Sequence, residues 1–181
     1  MLRIAVTICA VLTCQIAHAE VNIQEITSLG GIDAWVVEEP SIPFTALEIR
    51  MRGGTGLDAP GKRGAVNLMT ALIEEGSGDM DAQTFQRRLD ALAASFSFRA
   101  FDDTMSISAR YVTESQDEVL ALLKQALTEP RFDQSAINRV RGQVLSGIAA
   151  DQKNPNRIAS AYFDAAAFGD HPYGMSADGT V

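Results

Sequence analysis

The chain has 181 residues, of which 46% are hydrophobic, and its formal net charge is −8 at pH 7. This length is enough for one domain with a buried core. The acidic balance argues against nucleic acid or an anionic membrane surface as a partner, and it favours solubility or contact with basic molecules.

The first 19 residues have the pattern of a secretory signal peptide. Arg3 supplies a positive charge, Ile4–Leu12 is apolar, and Ala17-His-Ala19 fits a small-residue cleavage site. The apolar run is too short for a membrane span. We therefore expect export to the periplasm, cleavage before Glu20 and one domain over residues 20–181. A buried N-terminal strand is the alternative interpretation of the apolar run.

Both cysteines, Cys9 and Cys14, lie inside the predicted signal peptide. Cleavage removes them together with Arg3, so the mature charge is 14 minus 23, or −9. The mature chain then has no disulfide, thiol nucleophile or thiolate ligand. A lipid anchor at Cys14 is the alternative to cleavage after Ala19, although Thr13 is large for the position before a lipidated cysteine.

Three strands are predicted next in the chain. Residues 21–26 and 32–37 are rich in Val and Ile and flank Gly30-Gly31, which indicates a hairpin. Residues 44–51 alternate, with Leu47, Ile49 and Met51 on one face and polar residues on the other. This alternation predicts a strand with one solvated face.

Residues 64–77 are predicted to form a helix between the glycine-rich turn 52–56 and a stop signal at Gly76-Ser-Gly78. Its apolar stripe is Leu68, Leu72 and Ile73. A second helix is expected over 81–92, followed by two strands, 95–101 and 105–111, that turn at Asp102-Asp103.

Three further helices are predicted after the last strand. Ser115-Gln-Asp-Glu118 has the pattern of a capping box, Asp133 is placed to cap the second helix, and Asn154-Pro155 opens the third. The order of elements predicts an α+β fold, in which an antiparallel β-sheet has its helices packed on one face.

Several landmarks share the order of one known family. They are Arg52-Gly-Gly, the helix opening at Gly64, Gly76-Ser77, Glu129-Pro-Arg-Phe132, Asn154-Pro155 and His171-Pro-Tyr-Gly174. Together they resemble the first half of the pitrilysin/insulinase zinc peptidases, whose inverted motif is His-x-x-Glu-His. The family's architecture has two related halves, so the resemblance implies a fragment or a chain that needs a partner.

The residues that carry the family's chemistry are replaced. The resemblance places Asn67 and Ala71 where the two zinc-binding histidines would be, and Thr70 where the glutamate would be. The third ligand, a glutamate on the long helix, falls on Gly147, and a helper glutamate falls on Val140. A catalytic zinc needs about three imidazole or carboxylate ligands and a carboxylate base. We therefore expect no catalytic residues and no zinc in this chain.

Other kinds of catalytic site also lack the residues that they require. The chain has two histidines, His18 in the predicted signal peptide and His171 in a loop. Gly53-Gly-Thr-Gly56 lacks the Lys-Ser/Thr of a phosphate loop, and no Gly-x-Ser-x-Gly elbow is present. Asp102-Asp103 predicts a hairpin turn, with a calcium site as the alternative.

The resemblance implies a role beside a catalytic subunit. Some families of this kind, such as the mitochondrial processing peptidases, pair a zinc-bearing subunit with a degenerate homologue that encloses the peptide. Peptides bind there as an added strand. Active members carry an Asn-Ala pair at that edge, whereas Phe96-Ser97 falls near it here. The expected substrate edge is Ser95, Phe96, Ser97 and Phe98. The alternatives are an active zinc metalloendopeptidase with an unrecognised ligand set, and a periplasmic structural or binding protein.

Overall fold

The computed structural model describes residues 21–180, and the predicted signal peptide lies outside the described residues. Two compact units divide at Ile42 and Pro43. Within the first, β1 (Ile23–Thr27) and β2 (Asp33–Val37) pair antiparallel from Ile23 with Val37 to Thr27 with Asp33. The turn contains Gly31 at φ +80°, a left-handed conformation that glycine adopts without strain. The predicted hairpin is confirmed.

The second unit contains the main sheet, which has three strands. They are β3 (Phe44–Arg52), β6 (Ser95–Ala100) and β7 (Thr104–Val112). Their order across the sheet is β3-β7-β6, and every pairing is antiparallel. The short strands β4 (Gly76–Ser77) and β5 (Met80–Asp81) form a separate pair. The predicted β6–β7 hairpin, which turns at residues 102–103, is confirmed.

Five α-helices are formed by the described residues, all in the second unit. Their bounds are α1 (Ala65–Ile73), α2 (Ala82–Ala91), α3 (Gln116–Thr128), α4 (Gln134–Asp151) and α5 (Pro155–Phe168). Among residues 21–180, no helix combines the length and the apolar character needed to cross a membrane.

The main core lies between one face of the sheet and helices α2 and α3. Phe85 and Leu89 of α2 and Val119 of α3 pack in one buried cluster with Phe96 and Ile107 of the sheet. The alternation of apolar residues along the strands and their helical spacing in α2 and α3 place them on these facing surfaces. The predicted α+β architecture, an antiparallel sheet with helices on one face, is confirmed.

Three local predictions were wrong. The helix predicted over 64–77 ends at Ile73, because Gly76–Ser77 pairs with Met80–Asp81 as β4. Ser115 makes no side-chain hydrogen bond to the start of α3. It is the last residue of a 3-10 turn, and its ψ of 8° differs from the extended backbone that is typical of a capping residue. Asp133 makes none either, and its carboxylate binds Arg131 instead, at 2.9 Å from Oδ2 to Nε.

Candidate functional site

Helix α1 carries Asn67, Thr70 and Ala71, the positions where the resemblance places the zinc motif; we call them the degenerate motif. The N-terminus of the helix is held by Asp58. The Asp58 carboxylate accepts hydrogen bonds from the backbone N–H of Gly64, at 2.8 Å, and of Val66, at 2.9 Å. These bonds satisfy amides that the first turn of a helix leaves without partners. Sequence reasoning did not identify Asp58, because a capping side chain seven residues before the first helical residue follows no local pattern.

The three motif positions have different environments. Asn67 donates from Nδ2 to Asp178 Oδ1 at 2.6 Å, whereas Ala71 is exposed. Thr70 is 3% exposed, and its hydroxyl donates to the carbonyl of Asn67 at 2.9 Å. An amide, a hydroxyl and a methyl group therefore stand where the resemblance places two imidazoles and a carboxylate.

The long helix α4 supplies apolar packing where the resemblance places carboxylates. Val140 is buried in a cluster with Leu72 of α1 and with Ala136. Gly147, at the third-ligand position, lies on an exposed part of α4 with no atom within 4 Å of where a Cβ would stand. The contact between α1 and α4 is thus hydrophobic at the place where the resemblance puts charged side chains.

Within the part of the chain that the structure describes, no three His, Cys, Asp or Glu side chains are grouped so that they could hold a metal ion. His171 Nδ1 accepts the backbone N–H of Tyr173 at 3.2 Å. Asp102 accepts from the Thr55 hydroxyl at 3.3 Å, and Asp103 accepts the Tyr173 hydroxyl. The calcium alternative for Asp102-Asp103 gains no third carboxylate from these contacts.

The predicted substrate residues lie on β6, at one edge of the described sheet. The Phe101 N–H donates to Thr104 O at 2.8 Å, so these two residues form a hydrogen-bonded pair at the end of the hairpin. Hydrogen-bonded and non-hydrogen-bonded pairs alternate along antiparallel strands. The peptide groups of Phe96, Phe98 and Ala100 therefore point away from β7. The side chains of Phe96 and Phe98 lie in the core, Ser97 is half-buried and Ser95 is exposed.

Glu74, at the C-terminal end of α1, lies beside this edge. Loss of hydration raises the pKa of its carboxyl group; the backbone N–H of Phe98 acts in the opposite direction, and the charge of Glu75 raises the pKa further. Glu75 is itself paired with Arg139 of α4. An acidic group therefore stands next to one of the outward-pointing amides of β6.

The sheet face opposite the core is polar. Glu48 accepts hydrogen bonds from the hydroxyls of Ser106, at 2.7 Å, and of Ser108, and Arg50 Nε lies 3.4 Å from its carboxylate. The hydrogen bond from Ser108, that from Ser106 and the Arg50 charge lower the pKa of Glu48. This face carries fixed hydrogen bonds and charge on strands β3 and β7.

Solved structures of known proteins have a similar fold. A peptidase M16 inactive domain from Pseudomonas fluorescens superposes with a TM-score of 0.83 at 25% identity, covering 88% of this chain and 39% of that one. A protease from Helicobacter pylori has a TM-score of 0.75 at 14% identity, covering 88% and 39% respectively. The second likeness concerns the fold alone.

Curated relatives match at the level of sequence. The non-peptidase homolog YmxG of Helicobacter pylori is 24% identical over 143 residues, which are 79% of this chain and 33% of that protein. An uncharacterized zinc protease of Rickettsia bellii is 20% identical over 150 residues, 83% of this chain and 36% of that protein. The chain thus spans about a third of the length of these relatives.

The family model of insulinase, peptidase family M16, matches residues 35–181. Those residues include the degenerate motif on α1, the long helix α4 and the edge strand β6. The match extends over most of the chain, and it agrees with the likeness to the solved M16 domain. The chain belongs to the insulinase family, peptidase family M16.

Proposed function

We propose that this chain is a non-catalytic subunit, or inactive half, of a zinc metallopeptidase complex in the periplasm, where it helps to enclose peptide substrates. One observation carries the proposal: the metal motif has been replaced by structural contacts. Thr70 is buried, Asn67 is bonded to Asp178, and Val140 packs on Leu72. No zinc is expected in this chain, and the catalytic zinc is assigned to a homologous partner subunit.

The polar sheet face supports a role in enclosing peptides. Glu48 and Ser108 place polar groups on the side of the sheet away from the core, and the buried Ser106 helps to hold the Glu48 carboxylate there. The outward-pointing peptide groups of Phe96 and Ala100 offer donors and acceptors for an added strand, whereas the Phe98 N–H faces Glu74. The relatives called a non-peptidase homolog and an inactive M16 domain favour the same class of role.

Association with the partner can be tested with defined components. The full chain and a zinc-bearing homologue from the same genome would be co-expressed and analysed by sedimentation, followed by peptidase assays of each chain and of the mixture. We expect a mixed complex, with activity that disappears when the homologue's zinc ligands are replaced. Activity of this chain alone would contradict the proposal, and failure to form the complex would favour the structural or binding alternative.

The peptide edge can be tested separately. Ala100→Pro removes one outward-pointing N–H of β6 and leaves the ladder with β7 intact, because proline is accepted on the free side of an edge strand. We expect weaker peptide binding by the complex at nearly unchanged stability. Arg99→Pro is the matched control, since it removes an N–H that points to β7 and should destabilise the sheet. Unchanged peptide affinity in Ala100→Pro would contradict binding of an added strand along the C-terminal half of β6.

A further inference from the structure

The segment after α5, residues 171–179, crosses the region of the degenerate motif; we call it the strap. It begins with the 3-10 turn Pro172–Gly174. It contributes no residue to the two buried apolar clusters, and His171, Met175, Ser176 and Asp178 are exposed. A segment with so little apolar burial is held mainly by its polar contacts.

The first of these contacts is made by Arg63, the residue before the N-cap of α1. Its guanidinium donates to three strap carbonyls: Nε to Ser176 at 3.0 Å, and Nη2 to Pro172 at 2.9 Å and Met175 at 3.0 Å. Nη1 donates to the carbonyl of Thr55 in the glycine-rich turn. The Arg63 side chain is only 13% exposed. One buried guanidinium thus joins the strap to the turn before the motif helix.

The second contact is made by the motif itself. Asn67, at the first histidine position, donates to Asp178 at 2.6 Å. The backbones also meet closely here, since a Cβ added to Gly64 would lie 2.5 Å from the Asp178 carbonyl oxygen. A Cβ on Gly179 would lie 2.4 Å from the Arg63 carbonyl oxygen. Only glycines permit the strap to approach α1 to this distance.

A third contact ties the strap to the β6–β7 turn. The Tyr173 hydroxyl donates to Asp103, and the Tyr173 ring packs edge-on against Phe168 at 5.6 Å. This hydrogen bond is the largest of the causes that raise the pKa of Tyr173, followed by burial and the nearby charges of Asp103 and Asp102. The strap therefore spans from the motif helix to the turn at the end of the edge strand.

We propose that the strap is a latched cover over the N-terminal end of α1, and that Asn67 is its latch. On this inference, asparagine at the first histidine position is a structural residue whose amide holds Asp178 in place. Arg63 holds the backbone of the strap, and the Asn67–Asp178 pair locks its C-terminal part. Opening of the strap exposes the N-terminal turns of α1 while the core clusters stay packed.

The latch can be tested by reversing its polarity in the full chain. Asn67→Asp opposes two carboxylates, whereas adding Asp178→Asn restores a donor on the other side of the pair. Amide hydrogen exchange of residues 173–179 should become roughly three- to tenfold faster in Asn67→Asp, the range expected for one lost hydrogen bond. The double variant should return towards the exchange of the original protein. Asn22→Asp in the hairpin unit is the matched control for the added charge.

Two further measurements separate a latch from a general loss of stability. Exchange of the core amides in α2 and β7 should change much less than exchange of the strap in Asn67→Asp. Arg63→Lys keeps the positive charge but loses the planar guanidinium that donates to several strap carbonyls. Exchange of the strap amides should therefore also become faster in this variant. Strap exchange that is unchanged in Asn67→Asp would overturn the proposal. So would equal acceleration in strap and core, or failure of the double variant to restore protection.

Discussion

Val140 on α4 and Leu72 on α1 lie in the same buried apolar cluster, at 4% and 5% exposure. The resemblance to the zinc peptidases places a helper glutamate at residue 140, and the metal helix of the family corresponds to α1. The two helices that would cooperate around a metal therefore meet here through methyl groups. This apolar contact stabilises the fold. A carboxylate at either position would be removed from water, so the contact disfavours a charged metal ligand there.

We predict that the purified protein binds no stoichiometric zinc. Asn67, Thr70, Ala71 and Gly147 supply no imidazole or carboxylate at the expected ligand positions. Metal analysis that measures the number of zinc ions per purified chain tests this expectation, with a zinc-bearing homologue as the positive control. One tightly held zinc per chain that resists mild chelation would show that the ligand set has been misidentified.

Restoring the motif glutamate should destabilise the protein. Thr70→Glu places a carboxylate at a position that is 3% exposed, where it would lack the hydration of the charged form. We expect a loss of about 2–5 kcal/mol in the free energy of unfolding. Ala71→His is the matched control on the exposed side of the same helix, with a change within about 0.5 kcal/mol. Denaturant unfolding measures both, and equal effects would contradict the assigned burial.

The triple variant that combines Asn67→His, Thr70→Glu and Ala71→His should remain inactive as a peptidase. The described part of α4 has no carboxylate at Val140 or Gly147 to complete the ligand set. Peptide hydrolysis by the folded triple variant, measured with zinc added, tests this. Zinc-dependent turnover abolished by chelation would place the third ligand elsewhere in the chain.

Glu48 should make a pH-dependent contribution to stability. Its pKa is lower in the folded protein than the ordinary value of 4.5, because Ser108, Ser106 and Arg50 favour the carboxylate. The unfolded state then binds more protons at acidic pH, so this contribution is complete above pH 4.5 and is lost as the pH falls through the folded pKa. Glu48→Gln should cost up to about 1 kcal/mol at pH 7, since the site is solvent-accessible. Urea unfolding of both proteins should converge at low pH; a constant difference would contradict the assignment.

Removal of the buried ring of Phe85 should strongly destabilise the second unit. Phe85 is 0% exposed and packs against Phe96, with ring centroids 6.3 Å apart. Phe85→Ala should lower the free energy of unfolding by about 3–5 kcal/mol. Phe163→Ala, at a residue that is 69% exposed on α5, should have a much smaller effect. Thermal unfolding of the two variants distinguishes the core from the surface position.

Export should remove residues 1–19. The apolar run that ends at Ala17-His-Ala19 motivates this prediction. Intact-mass measurement of the protein from the periplasm should give a chain that begins at Glu20. A lipid-modified N-terminus at Cys14, or an uncleaved chain in the cytoplasm, would contradict it.

The sequence by itself determined the order and type of the five helices and of strands β1, β2, β3, β6 and β7, but not the short pair β4–β5. Alternation in residues 44–51 predicted β3, and the helical spacing of Leu68, Leu72 and Ile73 predicted the apolar face of α1. These patterns are local, since they follow from the period of two in a strand and of 3.6 in a helix. The resemblance to the family motif is likewise read from the sequence, because the spacing of that motif is short.

Only the tertiary structure decided which side chains meet. Asp178 reaches Asn67 across 111 residues, and Arg63 reaches Met175 across 112. The same applies to Asp133, where local spacing predicted a helix cap but the carboxylate binds Arg131. Local patterns give the face of an element on which a residue lies, whereas a hydrogen-bond partner depends on how the elements are packed together. That is why the strap and the buried state of Thr70 could be found only from the folded chain.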